Sequence, residues 1–263
     1  MRFMTSDRVT LVYSDHGSGQ AIILLAGFGV PKEIWQAQVP ALVGAGYRVI
    51  SLDGRSHGQS ERTLKGQSLW RRATDVHELV THLGIKKPIL VGHSLGAGTC
   101  FAYIAQFGEQ SITAMVDVDQ PPQVLNTWHW HYGMKPIRWA KWRNYLARPW
   151  GAARFKAVDQ TTSALVTAAE SEWPFQQWAM APLLLDHLRH NWRPVLAGLR
   201  CPCLIIAGAA SPLFKPQFAE VTAQMTAQGM AVVIPAAGHL VMAEQSAAFN
   251  HVLLSFLAHI RQV

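Results

Sequence analysis

Three short stretches of this chain hold residue types that together could carry out nucleophilic catalysis. The sharpest is Val91-Gly92-His93-Ser94-Leu95-Gly96-Ala97-Gly98, a G-x-S-x-G placed at the end of an apolar run and the start of a helical pattern. A serine on so tight a turn needs glycines on either side, and the helix that follows favours developing negative charge at its N-terminus. Ser94 is the candidate nucleophile. Its hydroxyl does not ionise usefully at neutral pH, so a base must take the proton. His239, in Pro235-Ala236-Ala237-Gly238-His239-Leu240, titrates in the range that this requires. Acyl transfer also needs two donors for a tetrahedral oxyanion. The glycine-rich loop Leu24-Leu25-Ala26-Gly27-Phe28-Gly29 would supply the backbone N–H of Phe28, and the serine turn that of Leu95.

The elements that must position these groups follow from periodicity. Short apolar runs ending in turn residues read as buried strands at Ala21–Leu25, Tyr47–Leu52, Pro88–Val91, Ala114–Val118, Cys203–Ala207 and Ala231–Ile234. Helical spacing falls between them at Leu69–Leu83, Ala97–Phe107, Phe218–Gln228 and Ala247–Ile260. That alternation predicts a mostly parallel sheet covered by helices on both faces. Val9–Tyr13, followed by Asp15-His16-Gly17-Ser18-Gly19, reads as an additional antiparallel hairpin strand. Residues 120–197 break the rhythm. They hold Trp128, Trp130, Trp139, Trp142, Trp150, Trp173, Trp178 and Trp192 and no strand pattern, as a helical insertion over the carboxyl ends of the strands would. The expected organisation is a core of 1–119 and 198–263 with a Trp-rich cap at 120–197. Most of these tryptophans would form the cap's own core, while Trp128, Trp130 and His129 are its candidate substrate contacts.

Over essentially its whole length the chain resembles the α/β-hydrolase superfamily. The resemblance rests on Gly92-His93-Ser94-Leu95-Gly96, on Ser51-Leu52-Asp53-Gly54-Arg55-Ser56-His57-Gly58-Gln59-Ser60, and on Gly238-His239 followed by Glu244-Gln245. It implies an α/β fold with a mostly parallel eight-stranded sheet and a variable cap, and a Ser-His-acid triad. Two positions depart from the family pattern. Ala26-Gly27 stands where His-Gly is common. Ser211, in Ile205-Ile206-Ala207-Gly208-Ala209-Ala210-Ser211-Pro212, stands where an aspartate usually follows the seventh strand, and no acid occurs until Glu220. Some members place the acid after strand 6, and here Met115-Val116-Asp117-Val118-Asp119-Gln120-Pro121-Pro122 offers two. Asp119, nearer the carboxyl end, is the expected orienting acid. Asp117, or a Ser94–His239 pair with no acid, are the alternatives, and Asp119 could instead serve only to cap the following turn. His93 and His57 read as structural, and Asp53 as an anchor of its own loop.

Composition narrows the setting. The 263 residues are 49% hydrophobic and 15% charged, with 23 Lys plus Arg against 16 Asp plus Glu, which excludes a disordered chain. The longest apolar stretches are about half of the ~20 residues a membrane span needs, so none is expected. The N-terminal stretch lacks the apolar region of a secretory signal, and a cytoplasmic location is the expectation. Cys100, Cys201 and Cys203 read as free thiols, and the 12 histidines show no metal-ligand spacing. The net charge of +7 is dispersed, with its densest cluster from Lys135 to Lys156, and reads as a solvated face rather than a nucleic-acid surface. No cofactor or metal is implied, the partner is a small-molecule substrate, and a homodimer is left open.

These readings lead to a serine hydrolase of a small, mostly apolar or aromatic ester, since aromatic side chains give large rigid contact area. A cofactor-independent dioxygenase of N-heteroaromatic compounds shares the fold and the acid after strand 6. A non-catalytic ligand receptor is the third reading, supported only by the missing acid after strand 7.

Overall fold

A computed structural model describes residues 1–135, 146 and 154–261. Trp139, Trp142, Trp150 and most of the Lys135–Lys156 basic cluster lie outside the described residues. The eight strands are β1 (Arg2–Met4), β2 (Thr10–His16), β3 (Gln20–Leu25), β4 (Tyr47–Asp53), β5 (Ile89–His93), β6 (Ala114–Val118), β7 (Cys203–Gly208) and β8 (Gly229–Ile234), and they form one sheet in the order β1-β2-β4-β3-β5-β6-β7-β8. From β4 to β8 every pairing is parallel, whereas β1–β2 and β2–β4 are antiparallel. The central strands are buried on both faces, which explains why they read as continuous apolar runs.

Two details of the sheet differ from the sequence expectation. The segment around Val9–Tyr13 is an antiparallel strand, but β4 lies between β2 and β3, pairing Val12 with Asp53 and Tyr13 with Leu52. The Asp15–Gly19 turn therefore does not close a hairpin between neighbours. The edge strand β1 adds a further pairing, and its three residues are too few to show a periodicity.

The sheet separates two apolar cores. One contains Leu69, Val76, Cys100, Phe101 and Tyr103 from helices Leu69–His82 and Leu95–Phe107. The other contains Leu42, Phe249, Leu253 and Phe256 from helices Gln38–Gly44 and Ser246–Ile260. Helix Leu69–His82 begins at Ser68, whose hydroxyl accepts the N–H of Arg71 at 3.2 Å. The helix expected over Phe218–Gln228 ends at Ala223, and Ala223-Gln224-Met225-Thr226 winds into turns closed by Met225 N–H to Thr222 O and Thr226 N–H to Ala223 O. Between β6 and β7 the described residues form helices Gln160–Glu172, Ala181–Arg189 and Arg193–Ala197, with isolated bridges Gln123–Asn191 and Thr127–Trp130.

Candidate active site

Ser94 sits between β5 and helix Leu95–Phe107 with φ 54° and ψ −121°, a conformation a non-glycine residue holds only when its surroundings enforce it. The enforcing contacts are visible. Its N–H donates to Val118 O at the end of β6 at 3.0 Å. A Cβ on Gly92 would lie 2.5 Å from the Gly96 and Ala97 backbone, so the turn can close this tightly only with glycine there. Leu95 opens the helix, and its N–H belongs to the first-turn donors that have no intrahelical acceptor.

The loop after β3 comes equally close. A Cβ on Gly27 would stand 3.1 Å from Ser94 Cβ and 2.9 Å from His93 Nδ1. Phe28, the next residue, is buried. His93 ties the serine turn to the histidine loop, its Nε2 donating to the carbonyl of His239 at 3.0 Å. Burial, and then the neighbouring His239, hold its pKa well below the usual histidine range, so the ring is neutral.

Asp119 follows β6 at φ 53°, and its N–H donates to Ile206 O of β7 at 2.7 Å. That turn swings the carboxylate toward the loop after β8, where His239 Nδ1 lies 2.7 Å from Asp119 Oδ2. Two further donors complete the carboxylate: Gly208 N–H at 3.0 Å on Oδ1, and the Ser211 hydroxyl at 2.6 Å on Oδ2. Burial pushes the Asp119 carboxyl up to about 7, against the opposing pull of the Ser211 and Gly208 hydrogen bonds. Asp117 is placed differently. Both its carboxylate oxygens are buried and neither reaches His239, and burial, then Asp119, drive its pKa well above the carboxylate range.

The loop bearing His239 is fixed by Glu244. Its carboxylate accepts Gly238 N–H at 2.9 Å and Leu240 N–H at 3.0 Å on either side of the histidine, together with Phe155 N–H at 2.9 Å and Lys156 N–H at 2.8 Å from the segment between β6 and β7. Asp53 anchors its loop, as expected. It accepts Lys32 N–H and Gln59 N–H and pairs with Lys32 Nζ at 3.0 Å.

The three candidate substrate contacts from the insertion lie together in one turn. Trp128 is 87% exposed and His129 is exposed, while Trp130 is buried with its indole N–H donating to Gln123 O and Arg193 over its ring. They form an outward turn closed by Thr127 and Trp130, with Trp130 as its internal anchor. Other aromatic rings pack against the candidate machinery from residues that carry no sequence signal of their own. Phe175 packs edge-on to Phe28 with centroids 4.8 Å apart, and Phe214 lies 5.8 Å from the His239 ring. His57 joins them, 5.9 Å from Phe28 and 4.8 Å from Phe175, neutral because burial lowers its pKa to about 3. Among the described residues no group of three His, Cys, Asp or Glu could hold a metal ion, and no helix is long and apolar enough to cross a membrane.

Comparison with known proteins sets this geometry in context. The model of the alpha/beta hydrolase family matches residues 22–252. The non-heme haloperoxidase of Rhodococcus erythropolis is 35% identical over 126 residues, 48% of this chain and 46% of that protein. The bifunctional esterase/perhydrolase of Acinetobacter calcoaceticus is 30% identical over 123 residues, 46% of this chain and 45% of that one. The matched stretch thus spans just under half the length of these curated relatives. Among solved structures, an esterase from Exiguobacterium antarcticum superposes with TM-score 0.87 at 19% identity, over 98% of each chain. A bromoperoxidase from Bacillus anthracis does so with TM-score 0.85 at 24% identity, over 98% of this chain and 100% of that one. At these identities the structural likeness speaks for the fold.

Proposed function

The chain belongs to the alpha/beta hydrolase family, and from that premise we propose that it is a serine hydrolase of small esters, carboxylesterase-like, acting on mostly apolar or aromatic substrates. The observation that carries the reading is the 2.7 Å contact between His239 Nδ1 and buried Asp119. With Asp119 ionised, Nδ1 keeps its proton and Nε2 presents a lone pair, which is the tautomer a general base needs.

The chemistry follows. Ser94 Oγ attacks the ester carbonyl carbon as its proton passes to His239 Nε2, and the imidazolium that forms is stabilised by Asp119. The N–H groups of Phe28 and Leu95 hold the oxyanion. The tetrahedral adduct collapses, the C–O bond to the alcohol breaks, and the alcohol leaves with the proton from His239. A water, deprotonated by His239, then attacks the Ser94 ester, the acid is released, and Ser94 recovers its proton. The apolar character of the substrate is supported by Phe28, Phe175 and Phe214, whose rings cluster around these groups. The receptor reading rested on a histidine without an acid, and Asp119 within hydrogen-bond reach of His239 takes that support away.

The test is hydrolysis of p-nitrophenyl butyrate by the wild type and by Ser94→Ala. Turnover that disappears in Ser94→Ala supports the reading. Wild-type protein without turnover, but consuming O2 with an N-heteroaromatic substrate, would move the assignment to the dioxygenase.

A further inference from the structure

Arg62, in the loop after β4, joins that loop to the insertion. Its Nη2 donates to Trp173 O at 2.8 Å and to Pro174 O at 3.5 Å. The next residue is Phe175. Fixing two successive carbonyls leaves little freedom for the ring that follows them, and that ring is seated against Phe28, edge-on at 87°, and against His57. Gly29 leaves the room. It lies at φ 75°, and a Cβ there would stand 3.1 Å from Phe175 Cδ1, tighter than ordinary contact.

Residues that flank this contact in the chain line an open cavity of about 360 Å³. Its lining includes Ser56 beside His57, Arg62 that anchors Phe175, and Gln176 that follows it. Leu64, Ala179 and Met180 give it an apolar wall. The volume is that of a small-molecule pocket. Phe175 thus packs on the proposed oxyanion donor, and its anchor Arg62 and its chain neighbour Gln176 both line this cavity.

We propose that Phe175 is a specificity-determining residue that closes the substrate pocket at Phe28 and restricts it to short chains, and that Arg62 is the positioning residue that holds it there through the Trp173 and Pro174 carbonyls. The inference rests on the serine hydrolase reading and deepens it by naming the substrate class: esters with a short apolar chain in the wild type, and longer ones once the ring is removed.

The experiment measures kcat and KM for p-nitrophenyl acetate, butyrate and octanoate with the wild type, Phe175→Ala, Phe175→Leu, Arg62→Gln and Arg62→Lys. The wild type is expected to favour acetate and butyrate. Phe175→Ala raises the octanoate-to-acetate ratio of kcat/KM at least about tenfold, chiefly through KM, as opening an apolar pocket does. Phe175→Leu, which keeps an apolar side chain and guards against a folding failure, shifts the ratio the same way by less. Arg62→Gln shifts it by about threefold on the same reasoning, and Arg62→Lys, which retains a cationic donor, returns it toward the wild type. An equal loss on all three esters in the Phe175 variants marks a merely structural role and overturns the proposal, as does an unchanged ratio. A wild type inactive on all three overturns the hydrolase reading, and this inference falls with it.

Discussion

Ser211 donates its hydroxyl to Asp119 at 2.6 Å, on the same oxygen, Oδ2, that holds His239 Nδ1. The residue that occupies the acid's usual place after β7 thus braces the acid supplied from β6. The hydroxyl favours the ionised carboxylate, so removing it raises the Asp119 pKa further. Ser211→Ala should therefore move the acidic limb of the kcat/KM profile to higher pH, by about one unit for a lost hydrogen bond to a charged group. A pH profile of p-nitrophenyl ester hydrolysis for both proteins checks it, and an unshifted limb would sink the idea.

Asp119→Asn should separate activity from stability. The amide can donate where Asp119 accepts, which stabilises the wrong tautomer of His239, and the expected loss in kcat is about 10³–10⁴-fold. Stability should move the other way. Burial raises the folded-state pKa of Asp119 from the ordinary 3.8 to about 7, so the folded state binds the proton more tightly, and the carboxylate weighs against folding increasingly as pH rises from about 4 to about 7. The variant should gain in Tm relative to the wild type across that window and hold the gain above it. Melting curves at pH 4 and pH 8 decide the matter.

Arg72 carries a cost of a different kind. It is 6% exposed, and its Nε and Nη1 are buried without hydrogen-bond partners. Asp75, whose charge it senses, is already held by Arg55 at 2.6 Å and by Arg71 at 2.9 Å. Burial brings the Arg72 pKa down to about 10, yet it stays charged near neutrality. Replacing an unpaired buried cation with an apolar side chain of similar length removes desolvation without breaking a hydrogen bond. Arg72→Met should be at least as stable as the wild type in urea. The difference should not vary between pH 5 and pH 8, since the charge does not change there.

Glu244→Ala should lose on both counts. Four backbone N–H groups, two of them flanking His239, are left without their acceptor. The expected cost is about 2–4 kcal/mol, from lost charge-assisted bonds and unsatisfied donors, with a fall in kcat because the histidine loop is no longer fixed. Denaturant unfolding and initial rates measure the two effects on one sample. Retention of both would contradict this role for Glu244.

How much of this is legible in the sequence depends on how local the signal is. Ser94 and its glycines form a strand–turn–helix pattern contained within eight residues, so the element and its turn can be read together. Asp119 can be singled out because it ends an apolar strand, although its positive φ and its reach to His239 come from pairing between β6, β7 and the loop after β8. Ser211 is visible only as a departure from a pattern. Its partner is 92 residues away and no local feature announces it. Composition reports that a segment is aromatic and not which way its turn faces, so the exposure of Trp128 and His129 is not legible in it. Phe175 escapes sequence reasoning for the matching reason: its place is set by Arg62 and Gly29, both far earlier in the chain, and neither carries a periodic signal.

The central claim is that Ser94 is an activated nucleophile, and intact mass after treatment with a fluorophosphonate tests it most directly. A single adduct on the wild type, absent in Ser94→Ala and formed far more slowly in Asp119→Asn, is the predicted result. An unmodified wild type, or an adduct that persists in Ser94→Ala, would contradict it.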